Sequence, residues 1–190
     1  MNSPTVWAEE NAARAPSSSS HQAASAYVDE DLRPTSVEML SIIEEAISQR
    51  HFYMVYQPQF AMHSGRLRGF EALIRCQSPT FGLVSPADFI PVAEESGDIV
   101  DIGYWLIRQS LMDLKLFRHQ GLGDIIMSIN LSPAQFQEGD VFEYIMMTLM
   151  EFDLPPSAVK LELTETALIK NAEVISRTFR AFQREGVQIW

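Results

Sequence analysis

The sequence predicts an α/β fold with a mainly parallel sheet. Segments in which apolar and polar residues alternate are separated by segments with helical periodicity, which is the order of β-α-β crossover units. The first two strands, over residues 52–60 and 66–76, are the exception, because only a short turn at Ser64-Gly65 separates them. A turn this short joins antiparallel neighbours. We therefore expect one antiparallel pair followed by parallel strands.

Each predicted helix combines an apolar stripe with a signal for its start or its end. Ser36 is a candidate N-cap of the first helix, and Ser85 precedes Pro86 at the start of the second, where Asp88 can complete a capping box. Pro91 lies inside the second helix, and we expect it to kink or shorten that helix. The first stripe consists of Val37, Leu40, Ile43 and Ala46, with Met39 and Ile42 beside it. Later helices are expected over about 99–120, 142–152 and 171–185.

The chain divides into a tail and one folded domain. Residues 1 to about 35 contain a serine run and an acidic cluster but little that could build a core, so we expect a disordered tail or linker. The domain extends from residue 36 to residue 190, with its later strands predicted over 125–132, 159–164 and 187–190. The 190 residues are enough for one domain with its own hydrophobic core.

The charge balance limits the classes of partner. The formal net charge is −11, from 14 basic and 25 acidic residues, which argues against binding to a nucleic acid polymer. A small anionic ligand is compatible with this charge when a bound divalent metal inverts the local field. Cys76 is the single cysteine, no apolar run reaches membrane-spanning length, and no signal peptide is recognisable. We therefore expect a cytoplasmic protein without a membrane partner.

Polar side chains that could bind a ligand occur on three strands. Glu71 and Arg75 share one face of the second strand, where an ion pair between them on a solvated face is the alternative interpretation. Asn130 and Glu162 lie at or near the carboxyl ends of two later strands, where parallel α/β folds bind ligands. Their alternatives are a turn cap for Asn130 and a charge pair with Lys160 or Arg75 for Glu162. Two carboxylates and one amide oxygen are hard ligands, suited to Mg²⁺, Mn²⁺ or Ca²⁺.

Six motifs follow one another along the chain and are informative as a set. The central one is Gly69–Arg75, which contains Glu71-Ala72-Leu73. The others are Tyr56-Gln57-Pro58, Ser85–Pro91, Ala93–Gly97, Ser128–Ser132 and Leu161–Thr166. In order and spacing, the set resembles the EAL family, the bacterial cyclic di-GMP phosphodiesterases. The resemblance covers about residues 37–190.

The resemblance implies a fold, a cofactor and a reaction. The family fold is a modified TIM barrel with an antiparallel first strand, so this chain would form an incomplete TIM-like (β/α) barrel, its N-terminal half to two-thirds. By resemblance, Glu71, Asn130 and Glu162 are ligands of a two-metal site for Mg²⁺ or Mn²⁺, which is incomplete here. The family reaction is metal-assisted hydrolysis of one phosphodiester of cyclic di-GMP to linear pGpG.

Further roles follow from the same resemblance. Gln57 and Arg75 would contact the cyclic dinucleotide, Arg75 at a phosphate, and Leu73 would lie against it. Glu165 resembles the glutamate that holds an active-site loop in place. The substrate-binding residues would therefore come from the first two strands, next to the metal ligands.

The resemblance also indicates what this chain lacks. The family continues beyond the position of Trp190 with an Asp-Asp-Phe-Gly-Thr-Gly segment and a later catalytic lysine. We therefore expect the chain to be inactive by itself, and its open barrel edge to be covered by a homodimer contact or a protein partner. Two alternatives remain, namely a non-catalytic interaction or cyclic di-GMP-binding module that acts through a partner, and the functionless remnant of a disrupted reading frame.

Overall fold

A computed structural model describes residues 34–138, 140–163 and 172–190. Its helices are α1 (Ser36–Gln49), α2 (Pro86–Ser96), α3 (Ile99–Phe117), α4 (Gln135–Glu138), α5 (Val141–Glu151) and α6 (Ala172–Glu185). Its strands are β1 (Phe52–Phe60), β2 (Leu67–Ser78), β3 (Gly82–Val84), β4 (Ile126–Leu131), β5 (Val159–Leu163) and β6 (Gln188–Ile189). Residues 1–33 of the expected tail, Glu165 and the predicted helix cap at Asn171 lie outside the described residues.

The sheet has the predicted mixture of directions. Its order is β1-β2-β4-β5-β6, with β3 paired to β2 beside this path. Strands β1 and β2 are antiparallel, whereas β2, β4, β5 and β6 run parallel to one another. The turn between β1 and β2 closes with a hydrogen bond of 2.8 Å from the Gly65 amide to the Ala61 carbonyl. Gly65 has a φ of +63°, which glycine adopts without steric cost.

The short strand β3 was not predicted. It folds back on β2, with Ser78 opposite Gly82. The hydroxyl of Ser78 accepts hydrogen bonds from the amides of Thr80 and Phe81, at 3.3 and 3.2 Å, and so stabilises the turn between the strands. Three residues are too few for an alternating pattern to show in the sequence.

The N-cap of helix α1 lies one residue earlier in the sequence than predicted. Thr35, not Ser36, is the N-cap, and it forms a capping box in which the Glu38 carboxylate accepts from the Thr35 amide at 2.8 Å. The predicted stripe is also rotated, because Val37 is 75% exposed while Met39 and Ile42 are buried with Ile43. The packing of α1 against β2 and α2 selects this face.

Helix α2 continues through Pro91 and ends at Ser96, next to Gly97. Proline removes one helical hydrogen bond, but burial of Phe89 on this helix offsets that loss. The Ser85 hydroxyl caps the helix by accepting from the Ala87 amide at 3.3 Å. The capping box predicted with Asp88 does not form between these described residues.

The two faces of the sheet differ in chemistry. Helices α1, α2 and α3 contact the face that carries buried Ala72, Ile74, Met127, Ile129 and Leu161. The opposite face carries the polar side chains of Gln57, Glu71, Ser128 and Lys160 and is called the site face below.

None of the described helices has both the length and the hydrophobicity needed to span a membrane.

Candidate functional site

Strand register aligns one row of polar residues across the site face. Gln57 pairs with Glu71 on the antiparallel neighbour, Glu71 pairs with Ser128, and Ser128 pairs with Lys160. Residues paired across strands point to the same side of a sheet, as do residues two apart within a strand. Glu71, Asn130 and Glu162 therefore all belong to the site face.

Two of the three predicted metal ligands are in direct contact. The Nδ2 atom of Asn130 donates a hydrogen bond of 2.9 Å to Oε1 of Glu71, although 59 positions separate them in the sequence. Glu162 is the register partner of Asn130 on β5. The structure thus brings Glu71, Asn130 and Glu162 onto three adjacent strands.

The charge-pair alternatives have different outcomes for the two glutamates. Glu162 forms an ion pair of 2.7 Å with Lys160, two residues earlier on the same strand. No described ion pair joins Glu71 to Arg75, because the Arg75 guanidinium instead donates at 2.8 Å to the carbonyl of Ile74. The pairing of Lys160 with Glu162 is one of the alternatives that the sequence left open.

A cavity of about 290 Å³ lies between strands β2 and β4 and helices α2 and α3. Leu73, Arg75 and Asn130 contribute to its wall, together with apolar side chains of α2 and α3. Gln57 is not part of this wall and is exposed on β1, opposite Glu71. Leu73 and Arg75 are half-buried, so each presents part of its side chain to solvent.

Side-chain hydrogen bonds of Ser132 and Gln135 fix the loop that follows Asn130. The Ser132 hydroxyl accepts from the Ala134 amide at 3.4 Å, and the Gln135 side chain accepts from the Ser132 amide at 2.8 Å. The same hydroxyl donates to Glu94 of α2 at 2.6 Å. The sequence interpretation assigned no role to Gln135, although the Ser-x-x-Gln spacing is the signal of a capping box.

A second network lies behind the site face. The Tyr56 hydroxyl donates to the Asp113 carboxylate on α3, which also accepts from Gln109 at 3.0 Å. Burial, followed by the hydrogen bond to Asp113, raises the pKa of the Tyr56 phenol well above its ordinary value. Tyr56 therefore anchors β1 to the helix layer next to Gln57, which lies on the other face.

The chemistry of Glu71, Asn130 and Glu162 fits a hard divalent cation. Both carboxylates are only half-buried and Asn130 is exposed, so a cation can reach their oxygens from solvent. The Asn130 amide presents its nitrogen to Glu71, and a half-turn of the amide presents its oxygen instead. Among the described residues, no group of three His, Cys, Asp or Glu side chains is placed to hold a metal, so an amide oxygen would have to take part.

The family comparison agrees with the sequence motifs. The family model described as EAL domain matches residues 41–190. The chain is 33% identical over 147 residues to the cyclic di-GMP phosphodiesterase PdeR of Escherichia coli, covering 77% of this chain and 22% of PdeR. It is 31% identical over 153 residues to the bifunctional diguanylate cyclase/cyclic di-GMP phosphodiesterase MucR of Pseudomonas aeruginosa, covering 80% of this chain and 22% of MucR. The chain thus spans less than a quarter of the length of these relatives.

A solved structure shows the same fold. The MucR phosphodiesterase, in a complex with c-di-GMP, is similar with a TM-score of 0.75 and 30% identity, over 80% of this chain and 61% of that one. EAL domains have a TIM-like barrel fold, and the described elements form part of such a barrel, which confirms the predicted fold class. Since the family model also matches most of the sequence, this chain belongs to the EAL domain family.

Proposed function

We propose that this chain is part of a cyclic di-GMP phosphodiesterase and carries residues for substrate and metal binding. The observation that supports the proposal most directly is the contact between Glu71 and Asn130, with Glu162 on the next strand. These oxygens lie at the end of the sheet where parallel α/β folds bind their ligands. The proposal is also consistent with relatives named as cyclic di-GMP phosphodiesterases.

Arg75 is assigned to a phosphate of the ligand. Its guanidinium has no carboxylate partner among the described residues, and its contact with the Ile74 carbonyl leaves other N–H donors available. An arginine fork matches the geometry of two phosphate oxygens. In the same proposal, Leu73 offers an apolar surface to a base, and Gln57 offers amide donors and an acceptor from the facing strand.

Mg²⁺ or Mn²⁺ is the cofactor in this proposal. When bound, such an ion would polarise the phosphodiester and lower the pKa of a water molecule. Glu71, Asn130 and Glu162 would hold it, and Arg75 would orient the phosphate and offset its negative charge. Glu165 remains a proposed loop-holding residue.

Binding of cyclic di-GMP tests the substrate assignment, with Ca²⁺ as the hard cation in place of Mg²⁺ or Mn²⁺. We expect Arg75→Ala to weaken binding by at least roughly tenfold, because a charge-assisted contact to a phosphate is lost. Arg108→Ala is the matched control, since it removes a guanidinium that pairs with Glu151 on the outer helices. Isothermal titration calorimetry measures both affinities. Equal affinities in the two variants would contradict the role of Arg75.

A non-catalytic cyclic di-GMP-binding module is the second candidate. It is favoured by the ion pair between Glu162 and Lys160, which occupies one proposed metal ligand. The expected inactivity of this chain by itself and the expected partner at the barrel edge both stay predictions. Incubation with cyclic di-GMP and Mn²⁺ tests the module in one direction, because steady formation of pGpG would reject both the module and the expected inactivity of this chain.

A further inference from the structure

We propose that Lys160 limits the affinity of the site face for divalent cations by holding the carboxylate of Glu162. The inference rests on the proposed function, in which Glu162 is a metal ligand. It concerns a residue outside the motifs that carry the family resemblance. Lys160 would be neither a ligand nor a catalytic group, but would set how strongly the neighbouring ligands bind a cation.

The ion pair is sheltered from solvent. The Lys160 Nζ atom is 2.7 Å from Oε1 of Glu162, and their side chains are only 16% and 25% exposed. The same Nζ atom lies 4.1 Å from the centre of the Trp190 ring, within cation–π distance. These two contacts keep the ammonium on the site face. Partial burial makes the pair stronger than an exposed one, because less water screens it.

Charge balance gives the direction of the effect. Of the three proposed ligands, Glu71 and Glu162 are negative and Asn130 is neutral, so two negative charges face a divalent cation. The ammonium of Lys160 removes one of these charges from the balance and would repel a cation bound to Glu162. A cation must therefore displace Lys160 from the carboxylate or bind beside it. Both cost affinity.

Two variants of Lys160 distinguish this effect from the opposite one, in which Lys160 would strengthen metal binding. A hydrogen-bonded neighbour can strengthen a metal site by orienting a ligating carboxylate. If Lys160 acted in this way, Lys160→Met would weaken metal binding and Lys160→Gln, which keeps a donor, would retain it. If its charge dominates, both variants bind the metal more tightly, since both remove the positive charge.

Direct titration with Mn²⁺, followed by electron paramagnetic resonance of the free ion, tests the inference without an activity measurement. We expect Lys160→Met and Lys160→Gln to lower the dissociation constant for Mn²⁺ by roughly tenfold. Lys115→Met on α3 is the matched control for net charge, and we expect it to leave the constant unchanged. Circular dichroism and the unfolding midpoint show that each variant is folded, and the two Lys160 variants serve as independent checks.

The outcomes separate this inference from the proposed function. Tighter Mn²⁺ binding in both Lys160 variants, but not in Lys115→Met, supports it. Unchanged or weaker binding in the Lys160 variants overturns it while leaving the metal site in place. An equal gain in Lys115→Met also overturns it, because the effect would then be one of overall charge. Absence of Mn²⁺ binding in every variant overturns the proposed metal site together with this inference.

Discussion

The side-chain amide of Gln135 occupies the space that a side chain would fill at Gly103. An added Cβ at Gly103 would lie 2.1 Å from the Gln135 Nε2 atom, far inside contact distance. Gln135 is buried, and its oxygen accepts from the amide of Ser132, two residues after Asn130. The small residue on α3 therefore leaves room for the amide that fixes the end of β4.

The first prediction is that Gly103→Ala destabilises the protein. Alanine is intrinsically the better helix former by about 1 kcal/mol, so propensity alone predicts a gain in stability. Displacement of Gln135 should outweigh this gain and lower the free energy of unfolding by about 1–3 kcal/mol. Urea denaturation followed by circular dichroism measures the change, and a more stable variant would contradict the proposed contact.

Ser110→Ala is a comparison variant on the same helix. The Ser110 hydroxyl is buried and has no hydrogen-bond partner within the part of the chain that the structure describes. Its removal should leave stability unchanged or raise it by up to about 1 kcal/mol, because no hydrogen bond is lost. The opposite signs expected at Gly103 and Ser110 separate the effect of crowding from a general sensitivity of α3.

The second prediction concerns Cys76, which is fully buried on β2. Burial raises the pKa of its thiol to about 11, so almost no thiolate is present at neutral pH. The native state holds this proton more tightly than the unfolded chain does. The stability that this group contributes is thus complete below about pH 9 and is lost as the pH rises towards 11.

A thiol reagent such as Ellman's reagent measures the protection of Cys76. At pH 8 we expect the native protein to react at least roughly a hundredfold more slowly than the protein in urea, since attack needs both exposure and thiolate. Because the chain has a single cysteine, the signal has one source. Fast reaction of the folded protein would show that β2 opens readily.

Strand β1 and helix α3 are joined by the hydrogen bond from Tyr56 to Asp113. The raised pKa of Tyr56 keeps its hydroxyl protonated, and therefore a donor, well into the alkaline range. The third prediction is that Tyr56→Phe lowers the free energy of unfolding by about 1–3 kcal/mol, because a partly buried carboxylate loses a donor. Gln109 still donates to Asp113, which limits the loss.

A double-mutant cycle with Asp113→Asn isolates this interaction. The cycle compares the two single variants with the double variant, all measured by urea denaturation, and its coupling energy should be at least about 1 kcal/mol. Additive effects would mean that Tyr56 acts through packing of its ring alone. The ring contacts Phe70 and Phe117 edge-on, at 6.4 and 5.2 Å between centroids.

The elements that the sequence predicted well are those with a long periodic pattern. The strands over 52–60 and 159–164 and the helix from residue 99 correspond closely to β1, β5 and α3. The errors arise where tertiary contacts decide the outcome. Val37 fits a helical stripe but is exposed, and strand β3 was not predicted although it pairs with β2. Local patterns do not contain the packing and pairing that decide either case.

The same division applies to the candidate site. The alternation of residues predicted that Glu71 and Arg75 share a face, and the strand pattern predicted that Asn130 and Glu162 lie near the carboxyl ends of their strands, as they do in β4 and β5. Which partner each charge takes could not be predicted, because it depends on distances between side chains. Lys160 was one of two candidate partners for Glu162, and only the structure distinguishes it from Arg75.

At the scale of the whole molecule, the site depends on residues far apart in sequence. Gln57, Glu71, Asn130 and Glu162 come from four strands that the folded sheet aligns. None of these side chains forms part of the buried core. A ligand that bridges them would bind the folded sheet and not the unfolded chain, so binding and stability are linked.

The fourth prediction follows from this linkage. Cyclic di-GMP with Ca²⁺, at a free concentration about one hundred times the dissociation constant, should add about 2.7 kcal/mol to the free energy of unfolding. For a chain of this size, that gain corresponds to a rise of roughly 5–10 °C in the unfolding midpoint.

Glu71→Gln should remove most of the rise, because a neutral amide is a weaker ligand for a hard cation. Glu151→Gln, on the outer helix α5, should retain the rise, since Glu151 pairs only with Arg108 among the described ion pairs. Differential scanning fluorimetry with and without the ligand measures the shift in each variant. An equal rise in both variants would place the ligand away from Glu71 and away from the site face.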